Sequence, residues 1–103
     1  MPVSDGYLQF VLDQLGQVTP VRARKMFGGV GIYSGDLFFA LVDDDALFFK
    51  VDEGNRREFE AAGMEPWEHG KGYYEVPVEV LEDVDVLRGW TAKAIAVAER
   101  KRK

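Results

Sequence analysis

The sequence predicts an α+β fold in two layers, an antiparallel sheet with helices packed on one face. Three observations predict it. Short apolar runs recur between residues 25 and 51, separated by "SGD" and "DDD". Connections that short join neighbouring strands as antiparallel hairpins. The segments on either side carry their apolar residues at helical spacing instead. A chain of 103 residues, 47% apolar and 30% charged, suits one domain over 1–103 with one core.

The elements are taken in chain order. Leu8, Val11, Leu12 and Leu15 share one helical face, which predicts a helix from about Ser4 to Leu15. Ser4 is its N-cap and Gly16 its stop. Val18 to Arg22 is a connector containing Pro20. Three strands are predicted at Lys25–Tyr33, Leu37–Val42 and Ala46–Val51, forming a meander. Strict alternation turns Phe38, Ala40 and Val42 one way and Leu37, Phe39 and Leu41 the other. Both faces are apolar near the centre, so one meets helices and the other is left for a partner. Asp52 is placed to cap a helix from about Gly54 to Ala62, stopped by Gly63. "MEPWEHGKG" is a loop, Tyr73–Val76 a fourth strand, and "VEVLED" a helical turn. Asp83 caps a last helix to about Arg100, with Leu87, Trp90, Ala94 and Val97 as its apolar stripe. Residues 99–103 read as a frayed basic tail.

Charge is unevenly spread over the net −5. Residues 43–85 hold 14 acidic and 4 basic side chains, and residues 86–103 hold 6 basic and 1 acidic. The acidic bulk disfavours broad contact with nucleic acid, whose phosphates it repels. Cysteine is absent, which excludes disulfides, thiolate metal sites and a Cys nucleophile. The N-terminus lacks a basic start followed by an apolar stretch, and no apolar run approaches membrane-spanning length. A cytoplasmic location is therefore expected.

The glycines of "KMFGGVGIYSGD" raise the question of a phosphate loop. A Walker A motif needs Gly-Lys-Ser/Thr opening a helix, and no such triplet exists here. A dinucleotide fingerprint needs a third glycine where Ser34 stands. The run "IYSGDLFFALV" comes next and reads as strand, turn, strand, with no helix N-terminus to receive phosphate. The glycines are read as a bulge, a bend or a close backbone approach within the first strand.

The stretch "RKMFGGVGIYSGDLFFALVDDDALFFKVDEGNRREFEAAGMEPW" resembles the N-terminal domain of TfoX/Sxy proteins. "YYEVPVEVLEDVDVLRGWTAKAIAVA" carries that domain's closing pattern: Tyr-Tyr-Glu-x-Pro, then Leu-Glu-Asp, then a Trp-bearing helix. The similarity runs from about Tyr7 to Ala98. It implies about five antiparallel strands with helices on one side, similar to secretion-chaperone-like domains. It also implies regulation of genes for natural competence and DNA uptake, alongside the cyclic-AMP receptor protein at promoters. Full-length regulators of this kind carry a second, C-terminal domain, and this chain stops after the first. The expectation is a domain that binds a partner without touching a promoter itself. The resemblance brings no catalytic residues, and no cofactor is expected.

Individual residues are weighed against plainer roles. His69 is the one histidine and sits in a loop, where a zinc site would need several converging ligands. Asp43, Asp44 and Asp45 lack the alternation and central glycine of a calcium loop and read as a solvated turn. Glu58, Glu60, Glu82, Asp83 and Asp85 read as a solvated acidic face. No catalytic or metal site is assigned. Partner-binding candidates are Lys25, Phe27, Arg56, Trp67 and Tyr73, because Arg forks grip carboxylates and aromatic side chains near loops anchor interfaces. Arg100, Lys101, Arg102 and Lys103 are candidates for weak, salt-sensitive phosphate contact. The leading expectation is a non-enzymatic adaptor docking on a transcription-associated protein, with homodimerisation through the second apolar face as a further expectation. The alternatives are a weak DNA binder using the basic tail and a small enzyme of unrecognised class.

Overall fold

The computed structural model describes residues 3–26 and 28–102. Among these residues nine elements succeed one another: α1 (Asp5–Gly16), β1 (Arg22–Met26), β2 (Gly29–Ser34), β3 (Leu37–Asp43), β4 (Ala46–Lys50), α2 (Arg56–Ala61), β5 (Tyr73–Glu75), α3 (Val78–Glu82) and α4 (Val84–Lys101). The strands form one antiparallel sheet in the order β1-β2-β3-β4-β5. The helices cover one face of it, with α4 lying against β3 and β4 and touching α1 and α3. The core between the layers holds Val30, Ile32, Phe39, Val42, Leu47 and Phe49 from the sheet. Val11, Leu15, Phe59, Leu81, Leu87 and Ala94 meet them from the helices.

The ends of α1 and α4 agree closely with the sequence. Ser4 Oγ accepts the Tyr7 N–H at 3.2 Å, and the Ser4 N–H donates to Asp45 Oδ1 at 2.7 Å. Asp83 Oδ1 accepts the N–H groups of Asp85 and Val86, satisfying donors that a helix start leaves unpaired. The β3–β4 turn places Asp44 and Asp45 at φ of 53° and 54°, the left-handed pair that a two-residue hairpin requires.

The single strand expected at 25–33 is in fact two. The chain reverses between Met26 and Gly29, which pair across the β1–β2 ladder. Gly28 takes φ +82° there, a conformation cheap only for glycine. Gly29 serves a different end: a Cβ on it would lie 2.8 Å from the Val42 carbonyl oxygen. So the glycines make a hairpin and a close strand contact rather than a bend within one strand. The expected connector also ends early, since Arg22 already opens β1. That strand was hidden because "RARK" has no apolar alternation; all four side chains are exposed along the sheet edge.

The side-chain alternation predicted for β3 also needs correction. Ile32 pairs with Ala40, but Tyr33 pairs with Phe38, so Phe39 is one residue too many on β3. This bulge reverses facing direction within the strand. Phe39 enters the core against Phe49, with ring centroids 5.8 Å apart. Phe38 turns to the opposite face, where it meets Tyr33 and Tyr73.

After β4 the chain turns before α2 begins. Asp52 does not cap α2 as expected. Its Oδ1 accepts the Gly54 N–H at 2.8 Å, and Asn55 is the residue preceding the helix. The tail, expected to fray from residue 99, continues the helix in its described part. α4 runs to Lys101, Arg100 grips Asp52 with Nε at 3.0 Å and Nη2 at 2.9 Å, and Arg102 grips Asp36 at 3.1 and 2.7 Å. Both are forked pairs, the geometry in which guanidinium and carboxylate bind best. Lys103 lies outside the described residues.

Burial alone would raise the Asp52 carboxyl pKa. The Gly54 N–H and the Arg100 guanidinium outweigh it and hold the group below its ordinary value of 3.8. A carboxylate favoured in the folded state stabilises the fold above its unfolded pKa and loses that contribution as pH falls through the lower folded value. Arg100→Met is therefore expected to cost about 0.5–1 kcal/mol at neutral pH. The gap from wild type should shrink as pH falls below 3.8, read by denaturant titration across the acid range. A gap independent of pH would assign the loss to packing of the arginine stem instead.

Candidate docking face

The sheet face away from the helices is built by every second residue. β1 contributes Arg22, Arg24 and Met26, which pair with Tyr33, Gly31 and Gly29 of β2. The bulge adds Phe38, and Leu41 comes after it on β3. Phe48 and Lys50 come from β4 and Tyr73 from β5. The loop before β5 then folds over one end of this face. Trp67 stacks against Phe48 with centroids 6.0 Å apart and meets Tyr73 edge-on at 5.7 Å. Its indole N–H donates to Asp43 Oδ2 at 3.0 Å. Asp43 is only 9% exposed, so it holds the loop rather than standing in a solvated turn with Asp44 and Asp45.

Between the edge hairpin and this loop lies a groove of about 500 Å³, lined by Met26, Gly29, Leu41, Asp43, Trp67 and His69. Its lining is mainly apolar, the character of a surface that takes an apolar side chain. Next to it, Gly31 leaves room for the Phe38 and Met26 side chains, which a Cβ there would meet at 3.0 and 3.1 Å. At the far end, Tyr33, Phe38 and Tyr73 form an aromatic row with cations on its rings. Arg22 lies 5.5 Å from the Tyr33 centroid, and Lys50 lies 5.1 and 5.8 Å from those of Phe38 and Tyr73. Burial lowers the Lys50 pKa, and the nearby Lys101 lowers it further. Burial raises that of Tyr73. A partly desolvated ammonium held over rings is a site of positive potential.

The expected partner-binding residues do not gather on one surface. Trp67 and Tyr73 meet on the open face. Lys25 pairs with Val30 and so sits on the helix side of β1, by a shallow pocket shared with Val3, Asp5 and Leu8. Arg56 lies on α2, 3.8 Å from Glu60, whose carboxylate also accepts the Tyr74 hydroxyl. Phe27 lies outside the described residues. Of the expected phosphate contacts, Arg100 and Arg102 are engaged by Asp52 and Asp36, and Lys101 is exposed.

Residues named as a solvated acidic face have specific partners in part. Glu58 pairs with Lys93 at 2.9 Å and Asp83 caps α4. His69 sits edge-on to Trp67 at 5.7 Å, with Glu68 at 3.6 Å. No group of three or more potential metal ligands converges among the described residues. No helix among them is long and apolar enough to cross a membrane.

A family model described as the TfoX N-terminal domain matches residues 13–98. The chain belongs to this family. This TfoX N-terminal domain is also 30% identical over 108 aligned positions to a Spirochaeta aurantia protein described as an uncharacterized 12.7 kDa protein in the trpE 5′ region. The match spans all of this chain and 93% of that protein. The matched segment contains every strand that builds the open face. Sequence reasoning placed "KMFGG", and with it Met26, on the expected docking surface, but did not name Leu41, Phe48 and Lys50 as members of that face. The signal for Phe48 and Lys50 was their two-residue spacing on β4.

Proposed function

We propose that this TfoX N-terminal domain is a non-enzymatic regulatory adaptor that works by protein–protein contact through the open sheet face. The observation that carries the reading is the asymmetry of the sheet. One face is covered by helices, while the other carries a row of partly exposed aromatic side chains ending in an apolar groove. Aromatic residues around an apolar pocket are the usual anchors of protein interfaces. Family membership supports a competence-related regulatory role. The partner is then a transcription-associated protein, with the cyclic-AMP receptor protein the first candidate. The weak DNA-binding alternative draws less support, because Arg100 and Arg102 are spent on intramolecular carboxylates.

The test is capture from a lysate of the source bacterium, with and without nuclease, on immobilised wild type and on Trp67→Ala and Lys50→Glu variants. Wild type is expected to retain the receptor protein or RNA polymerase with or without nuclease, and the folded variants to lose it. Capture that vanishes with nuclease would move the function to DNA. Retention of neither protein by wild type would overturn the adaptor reading.

A further inference from the structure

We infer that the β1 edge receives an extended acidic segment of a protein partner, added as a sixth strand. This rests on the adaptor reading and names the chemistry of its partner. β1 closes one side of the sheet, so the outer N–H and C=O groups of Arg22–Met26 have no strand beside them among the described residues. Such an edge is a template for an incoming strand.

The charges select the occupant. Three of the five β1 residues are cationic, and none of the three has a carboxylate partner among the described residues. By contrast Arg56, Lys93, Arg100 and Arg102 each reach one. Arg22 donates its Nε–H to the Gly35 carbonyl at 3.2 Å and lies over the Tyr33 ring, but neither contact neutralises its charge. In a chain of net charge −5, a strand edge with three cations that no carboxylate of the described residues reaches is complementary to acid from elsewhere. A second copy pairing through its own β1 is disfavoured, since it would crowd six cations onto strands about 4.8 Å apart. Register then specifies the motif. Arg22, Arg24 and Met26 face the open side, so the incoming strand carries acidic residues at two alternate positions there and an apolar one at the third, beside the groove. Cationic edges also serve simply to repel other strands, and the experiment separates the two roles.

The probe is a fluorescent peptide with Glu, Glu and Leu at three successive alternate positions and Val between them, set against the same peptide with Lys for Glu, on the intact chain. The acidic peptide is expected to bind at least about tenfold more tightly, about 1.4 kcal/mol. Binding should weaken with salt and shift the amide signals of residues 22–26 most. Arg22→Glu with Arg24→Glu should reverse the preference, and because both side chains are exposed the variant should melt close to wild type. Equal binding of both peptides, no binding, or shifts confined to the helices would overturn the inference. So would a thymidine oligonucleotide that takes β1 while the acidic peptide does not, or self-association through β1 in sedimentation. If the charge-reversed variant still captures the transcription protein retained by wild type, this inference fails while the adaptor reading stands. If wild type captures none, it is the adaptor reading that fails.

Discussion

Phe59→Ala is expected to remove about 3–5 kcal/mol of stability, the range for deleting a buried aromatic ring. Phe59 is 1% exposed and is the buried residue of α2, a helix of six residues. So short a helix has little stability of its own, and packing must hold it. Phe59 packs edge-on against Trp90 of α4, with centroids 4.7 Å apart, and against Tyr74 at 5.9 Å. The ring therefore ties α2 to both α4 and the strand that ends the sheet. A domain of this size is stable by roughly 5–15 kcal/mol, so the loss is a large share of the whole. The thermal midpoint should fall by roughly 15 °C or more. Phe59→Leu, which keeps most of the volume, should fall much less. A midpoint for Phe59→Ala within a few degrees of wild type would show that α2 is not anchored this way.

Asn55→Ala is expected to cost about 2–4 kcal/mol, because it leaves two backbone groups without partners. Asn55 is 2% exposed. Its Oδ1 accepts the Asp52 N–H at 3.0 Å and its Nδ2 donates to the Lys50 carbonyl at 3.2 Å. One side chain thus serves both a donor and an acceptor where the chain leaves β4. Asn55→Asp restores only the accepting half and turns a carboxylate toward the Lys50 carbonyl. It is expected to remain clearly destabilised at neutral pH. Urea titration reads both variants, with the midpoint moving and the slope unchanged. An Asn55→Ala midpoint near wild type would mean that water replaces both bonds.

These two residues differ in how visible they were. Phe59 is the one aromatic residue from 52 to 62, so its burial follows from residue type with no spacing to mark it. Asn55 looked like a polar residue opening a helix, and its burial depends on where the Lys50 carbonyl lies in three dimensions. The same division holds across the molecule. Ser4, Asp83 and the "DDD" turn are local devices that work over a few residues, and they were legible. β1 was not, because an edge strand buries little and needs no apolar alternation. The bulge at Phe39 was not, because it exists only relative to the strand it pairs with. Of the open sheet face, Trp67 and Tyr73 were picked out by residue type alone. The face they belong to needed the register.

The two forked pairs at the end of α4 bear on the order in which the chain folds. Arg100 and Arg102 reach back 48 and 66 residues, to Asp52 and Asp36. The β1–β4 hairpins close over a handful of residues each. Loop closure makes distant contacts slower to gain than near ones. The meander should therefore form ahead of the docking of α4, and the C-terminal arginines act as a final latch on a sheet already assembled. In a Trp67→Phe chain, pulsed hydrogen exchange should protect the strand amides before Trp90 fluorescence reaches its folded value. Simultaneous signals would place α4 in the folding nucleus instead.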